Sequence, residues 1–302
     1  MPFKTRLLAV VAPLTFGVAL ALPLLVPSTA SAHRGWMVPS ATVLSGEGAW
    51  VGVDAAVSNE LFYADHNPMR LDAVVVTAPD GSVEKIQNPA TGKYRSTFDV
   101  QLAKPGTYKI GSAVSTITAS WTQDGQVKRF RGSPEDFARQ VPAAAADLKT
   151  IKSFNRNETF VTRDAPTTTV FAPTGKGLEL VPVTHPNDLV AGEAATFRFL
   201  LDGKPAADLE VTFAPGNSRY RAAPGDFKVR TGADGSFKVT FPEAGMYWMN
   251  AVVRTGETGR GPGGPGMGGP GVAPGGAQPP ATPLAGDGMS ASYTATLEAL
   301  LP

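Results

Sequence analysis

The 302-residue chain contains no cysteine, which excludes disulfides, thiolate metal centres, iron–sulfur clusters and cysteine nucleophiles together. Histidine is scarce too: His33, His66 and His185 are the only imidazoles for acid–base or metal chemistry. Net charge is missing, since 27 basic against 26 acidic side chains leave no field to attract nucleic acid or an anionic membrane. There is no Gly-x-Ser-x-Gly, no His-Glu-x-x-His and no phosphate-binding glycine loop opening a helix. After the first 26 residues no second long apolar run occurs, so the mature chain is not expected to span a membrane.

Glycine and proline, by contrast, are abundant, with 33 and 27 copies. Together they make up about 20% of the chain against an average of roughly 12%. Much of the excess lies between Gly256 and Gly288, which holds 13 glycines and 7 prolines in 33 residues. That stretch has too few apolar residues to bury anything and no sustained collagen period, so it reads as a disordered loop.

Residues 1–32 read as a secretory signal. Lys4 and Arg6 precede an apolar run from Leu7 to Val26, interrupted by Pro13 and Pro23. Ala30-Ser31-Ala32 then offers the small-x-small pattern of a signal peptidase site. Cleavage after Ala32 would leave a periplasmic protein of 270 residues that begins with His33.

The remainder reads as all-β: two sandwich domains of immunoglobulin-like or prealbumin-like type, over residues 33–172 and 177–302, with one short helical segment. In the first, Leu71–Thr77 is a β-branched run closed by the Ala78–Gly81 turn, and Tyr94–Leu102 alternates apolar with polar residues. A long β-prone stretch runs from Tyr108 through Trp121, and Asp124-Gly125 signals a two-residue hairpin. Only Ser133–Ile151 looks helical, with Ser133 as N-cap, Pro134 at the first position, and a second short helix starting in Ala143–Ala146. In the second unit short strands are expected at 178–183, 194–201, 209–213, 227–230, 237–241, 246–253 and 290–300.

Several segments carry a resemblance to a known family. They are His33–Pro39 (HRGWMVP), Leu178–Pro186 (LELVPVTHP), Gly192-Glu193, Asp202–Pro205 (DGKP), Gly232–Phe237 (GADGSF) and Ala244-Gly245. The chain resembles exported bacterial proteins classed as a domain of unknown function and often labelled periplasmic components of cobalt or nickel uptake systems. The Asp-Gly-Lys-Pro and Asp-Gly-x-Phe elements are also shared with transthyretin-like and carboxypeptidase-regulatory sandwiches. The resemblance implies two β-sandwiches and a periplasmic life connected with metal, but no reaction. Arg34 and Gly35 depart from the family pattern, which usually has aspartate or another polar residue after the leading histidine. The Gly/Pro-rich insertion departs from it as well.

An N-terminal histidine offers an α-amine and its own Nδ1, spaced to close a chelate ring on Cu²⁺ or Ni²⁺. The candidate metal ligands are therefore His33, His66, Asp65 and His185, with Met37 as a soft axial donor for copper. Trp36, Phe62 and Tyr63 are placed to shield the ion. The expected function is a periplasmic binding or accessory protein that handles one divalent transition metal (nickel, cobalt or copper), or its complex, for an envelope transporter or receptor. The alternative is a structural or interaction module of the cell envelope that binds no metal. A third reading, a copper-dependent oxidative enzyme, requires a second histidine within about 10 Å of His33, since metal–nitrogen bonds are roughly 2 Å. Glu60, Asp65 and Asp72 form no recognisable glycosidase pair, and no enzymatic activity is expected. Intact-mass measurement of the exported protein should give the chain starting at His33; a mature start at any other residue removes the chelate.

Overall fold

The computed structural model describes residues 33–222, 225–256 and 283–302. The expected signal segment and most of the Gly/Pro-rich stretch lie outside the described residues. Alternation of apolar and polar side chains builds the first sheet. β1 (Arg34–Pro39), β2 (Trp50–Ser58), β4 (Gln87–Thr91) and β5 (Ser96–Gln101) lie in the order β1-β2-β5-β4. In β2, Val51, Val53 and Ala55 face inward and are buried, and Phe98 and Val100 of β5 do the same. A two-residue strand, Asn67–Pro68, adds to the far end of β2.

A ten-stranded sheet runs through the middle of the molecule. It contains β3 (Val74–Thr77), β6 (Gly106–Gln123), β7 (Gln126–Gly132), β8 (Ala146–Arg163), β11 (Glu210–Pro215), β12 (Phe227–Arg230), β14 (Gly245–Gly256) and β15 (Gly288–Ala299), with the two-residue strands Val43–Leu44 and Val83–Glu84 at its margins. Their order is β12-β11-β14-β15-β8-β6-β3, with β7 on β6. Asp124 and Gly125 both take positive φ, 53° and 69°, the conformation a two-residue hairpin needs to match strand twist. A third sheet is β9 (Leu178–Pro182), β10 (Ala194–Leu201) and β13 (Ser236–Thr240), both neighbours pairing β10. The turn before β13 places Gly235 at φ 79°, where a Cβ would lie 2.4 Å from the Phe199 carbonyl, so only glycine fits.

The fold is thus an all-β sandwich architecture whose one α-helix among the described residues, α1 (Pro134–Gln140), is short. The first sheet covers the β3-β6-β8 side of the central sheet, enclosing Met37, Val53, Phe98, Tyr108, Ile110 and Val161. The third sheet covers the β8-β15-β14-β11 side around Phe160, Phe197, Phe199, Phe213, Phe237 and Tyr293. β8 and β15 pair in parallel from Ile151↔Gly288 to Thr159↔Thr296, so one hydrogen-bonded layer connects the two cores.

The helical expectation needs correction. Ser133 does cap α1, accepting the Asp136 N–H at 3.0 Å, and Pro134 opens the helix. The helix ends at Gln140, however, and the expected second helix is a turn closed by the Ala145 N–H on the Pro142 carbonyl. Ala146–Ile151 begins β8, an 18-residue strand. Pairing with β6 begins at Ala146 and β15 adds the second neighbour from Ile151, which outweighs the local helix preference of this stretch. Its strand pattern is hidden because the positions facing the second core include charges, Phe154, Arg156, Glu158 and Phe160 in succession.

Those charges form a buried network. Arg156 donates to Glu158 and to Glu179, both at 3.2 Å, and the Tyr293 hydroxyl donates to Glu158 at 2.7 Å. Burial pushes the Glu179 carboxyl up, but Thr174 N–H and hydroxyl, Gly175 N–H and Arg156 outweigh it and hold it below its ordinary value. Burial and Glu158 push the Tyr293 phenol well up, keeping it a neutral donor. Because Glu179 binds its proton less readily folded than unfolded, its stabilisation is present above the ordinary glutamate value of about 4.3 and is lost as pH falls below it. Denaturant midpoints measured from pH 7 to pH 3 should fall in that acid limb, and Glu179→Gln should lower the midpoint at pH 7 while flattening the limb.

Candidate functional site

The end of β2 determines where the histidines lie. Arg34 pairs with Ser58 on one side of β2 and Asn67 pairs with Val57 on the other, so His33 and His66 flank the same strand end. The chain between them must reverse tightly. The Ser58 hydroxyl donates to the Glu60 carbonyl, the Asp65 Oδ1 accepts the Asn59 N–H at 2.9 Å, and Phe62 takes φ 63°. A non-glycine residue in that region costs of order 1–3 kcal/mol, so the surrounding contacts must hold it there. With the loop so formed, the rings of His33 and His66 stack, centroids 3.7 Å apart and planes within 7°. Both residues are half-buried, and His66 Nε2 is buried with no hydrogen-bond partner among the described residues.

A small aromatic cluster lies beside the pair. Trp36, Ala56 and Leu61 from the first half of the chain meet Ala214 and Trp248 from the second, with Phe62 packed against them. The Trp36 indole donates to Ser58 Oγ at 2.7 Å and meets Phe62 edge to face at 5.6 Å. Trp248 donates to the Gly35 carbonyl at 3.1 Å. Arg34 stands 5.1 Å over the Trp248 ring and pairs with Asp226 at 2.6 Å. Arg219 covers Tyr63 at 4.1 Å and pairs with Glu60 at 2.8 Å. Burial, with a hydrogen bond and repulsion from Tyr220, pushes the Tyr63 phenol up. Every cation at this rim already has a carboxylate, so the site carries little net charge.

The structure therefore brings His33 and His66 together, with Trp36, Phe62 and Tyr63 around the same loop. Asp65 is exposed and one of its oxygens holds the loop through Asn59. Met37, expected as a soft donor, is fully buried in the first core, one residue along β1 from Trp36 and so on the opposite face. His185 stands elsewhere and both its ring nitrogens are occupied. Nδ1 accepts the Asn187 N–H at 3.1 Å, so Nε2 carries the proton and donates to Thr107 Oγ1 at 2.9 Å. Its ring packs edge-on against Phe171 at 5.3 Å. Arg219, Tyr220 and Asp226 escaped the sequence reading because each acts on a residue about 160–190 positions away. Among the described residues no group of three or more histidines, aspartates or glutamates is placed to hold a metal.

An all-β sandwich with this strand order defines the class, and sequence comparison supplies the family. Residues 30–255 match the DUF4198 family, a domain of unknown function, and the chain belongs to it. No curated protein sequence matches the chain significantly. Among solved structures it is similar to a DUF4785 family protein from Legionella pneumophila, with 8% identity and a TM-score of 0.22 over 70% of this chain. The chain spans only 50% of that protein's length. It is similar also to the D0–D1 domain of intimin, with 14% identity, TM-score 0.20, and 87% and 97% of the two chains covered. The human OSCAR ligand-binding domain shows 12% identity and a TM-score of 0.16, covering 74% of this chain and 91% of that one.

Burial lowers the proton affinity of His185 despite its bonds to Thr167 and the nearby Asp188. The unfolded chain is thus protonated first, and the stability His185 contributes is present above its ordinary value of about 6.5 and lost as pH falls through it. An NMR titration should place the His185 midpoint below the ordinary value of about 6.5. His185→Ala should destabilise the fold by about 1–3 kcal/mol, the usual penalty for orphaning buried partners, with no effect on any ligand at His33.

Proposed function

We propose that the mature protein is a periplasmic binding or accessory protein that handles a divalent transition metal (nickel, cobalt or copper) or its complex for an envelope uptake system. The observation that carries this reading is the contact between His33 and His66. Once the chain starts at His33, its α-amine and Nδ1 form a chelate, and His66 stands beside it as the next nitrogen donor. The unpartnered His66 Nε2 supports the reading, because a buried nitrogen without a partner costs about 1–3 kcal/mol that a bound ion would offset. A metal lies close to the plane of each imidazole it binds, so the stacked rings must fan apart about their side-chain torsions to share one ion. Trp36 and Phe62, packed to each other, would then limit water on one side. The work of such a site is binding and delivery, with no catalytic step. No helix among the described residues is long and apolar enough to cross a membrane.

The face-to-face stacking itself favours a second reading, an envelope interaction module in which the histidine pair only staples loop 59–66 to β1. Calorimetry separates the two. The protein beginning at His33 should bind one Cu²⁺ or Ni²⁺. Acetylation of the His33 α-amine, or His66→Ala, should weaken binding by at least about tenfold, roughly 1.4 kcal/mol. Equal affinity in all three proteins, or no heat in any, decides for the interaction module.

A further inference from the structure

A second surface lies at the other end of β2, on the face of the first sheet that looks away from the core. Trp50 opens β2 with its indole 44% exposed, although its neighbours Val51 and Val53 are buried. Cross-strand partners in an antiparallel pair share a face. Trp50↔Gln101 and Gly52↔Asp99 therefore set an indole, an amide, a bare backbone position and a carboxylate side by side. At Gly52 a Cβ would find ordinary space, 3.6 Å from Asp99 Oδ1, and its φ is one any residue accepts. Glycine is thus not required by the backbone there, and its effect is to leave a shallow hollow beside Trp50. Asn88 Nδ2 donates to Asp99 Oδ2 at 2.9 Å, fixing the carboxylate and leaving Oδ1 over the hollow. Asp54, next along the row, is matched by Arg95 at 3.0 Å.

We propose that this face binds a neutral glycan chain, with Trp50 as the stacking platform and Asp99, Asn88 and Gln101 as hydroxyl partners. The chemistry favours that occupant over others. An indole lying open on a sheet offers a flat apolar face that matches the C–H face of a pyranose ring. Fixed carboxylate and amide groups beside it suit the hydroxyls at the ring edge, and the hollow over Gly52 gives the sugar ring depth. A lone indole among polar groups is too small an apolar patch for a stable protein interface. The site is separate from the histidine pair, being eight residues, about 27 Å, away along β2.

The test uses the mature full-length protein and a panel of soluble neutral hexasaccharides of glucose, N-acetylglucosamine and mannose, followed by tryptophan fluorescence and calorimetry. At least one should bind and shift the emission. Trp50→Ala and Asp99→Ala should each weaken it by about tenfold or more, and Gly52→Val, which the backbone accepts, should block it by filling the hollow. His66→Ala should leave it unchanged. Thermal midpoints of the exposed-site variants should stay near that of the parent, which separates lost binding from lost folding. Absence of binding across the panel, or undiminished binding by Trp50→Ala, overturns the proposal. So does a concentration-dependent dimer in sedimentation that Trp50→Ala abolishes, since it assigns the indole to a second copy of the chain.

Discussion

The parallel pairing of β8 with β15 is the constraint on which the rest of the molecule rests. β8 ends the first half of the chain and β15 closes the second, yet they lie side by side for nine residues. Parallel neighbours cannot be joined by a tight turn, and here the whole second sandwich forms the connection. Each core lies against a different face of the same layer, so neither sandwich can shift without disturbing the hydrogen bonds of the other. The charged side chains of β8 reinforce the seam: Arg156 reaches Glu179 on β9, and Glu158 receives the hydroxyl of Tyr293 on β15. A buried ionic group is a weak source of net stability, because desolvation offsets most of the attraction. Its contribution is to register, since sliding β8 by one residue would turn Arg156 and Glu158 to the opposite face and strand their partners.

That layer also determines where the histidine pair sits. Gly35 of β1 lies against β8, where a Cβ would come within 4.0 Å of Asn157, and its carbonyl accepts the indole N–H of Trp248 on β14. The start of β1 is therefore pinned to the second half of the chain as well as to β2. Loop 59–66 closes the same corner through Glu60–Arg219 and the contact of Arg219 with Tyr63. The histidines thus lie where both sandwiches contribute side chains, a common position for binding sites.

Much of this fold is legible in the residues themselves. Asp124-Gly125 specifies its hairpin through a conformation few other pairs adopt, and Ala194–Leu201 shows its inward face by plain alternation. β8 is not legible, because two of the residues it turns toward the second core carry charge and the preceding alanines imitate a helix. Of the site, His33 stands out through its place directly after the Ala30-Ser31-Ala32 pattern, but nothing local indicates that His66 stacks on it. That contact depends on β1 and Asn67–Pro68 both pairing with β2, a matter of topology rather than pattern. His185 illustrates the opposite case: its loop looks like a ligand site until Thr107 and Asn187 are seen to occupy both nitrogens.

The closure of β14 on β15 has a consequence for how this chain can vary. Gly256 and Gly288 are cross-strand partners, so the segment between them leaves and re-enters the sheet at one point. Its ends are held together whatever its length, and closure entropy grows slowly with the length of a connection, by about 0.6 kcal/mol per doubling. Its last residues are tied to the sheet, since Asp287 accepts the Thr150 N–H and hydroxyl and the Leu284 N–H donates to Ser120 Oγ. The stretch ahead of Leu284 is therefore a port at which residues can be gained, lost or exchanged for a foreign sequence while β8, β15 and both cores stay as they are.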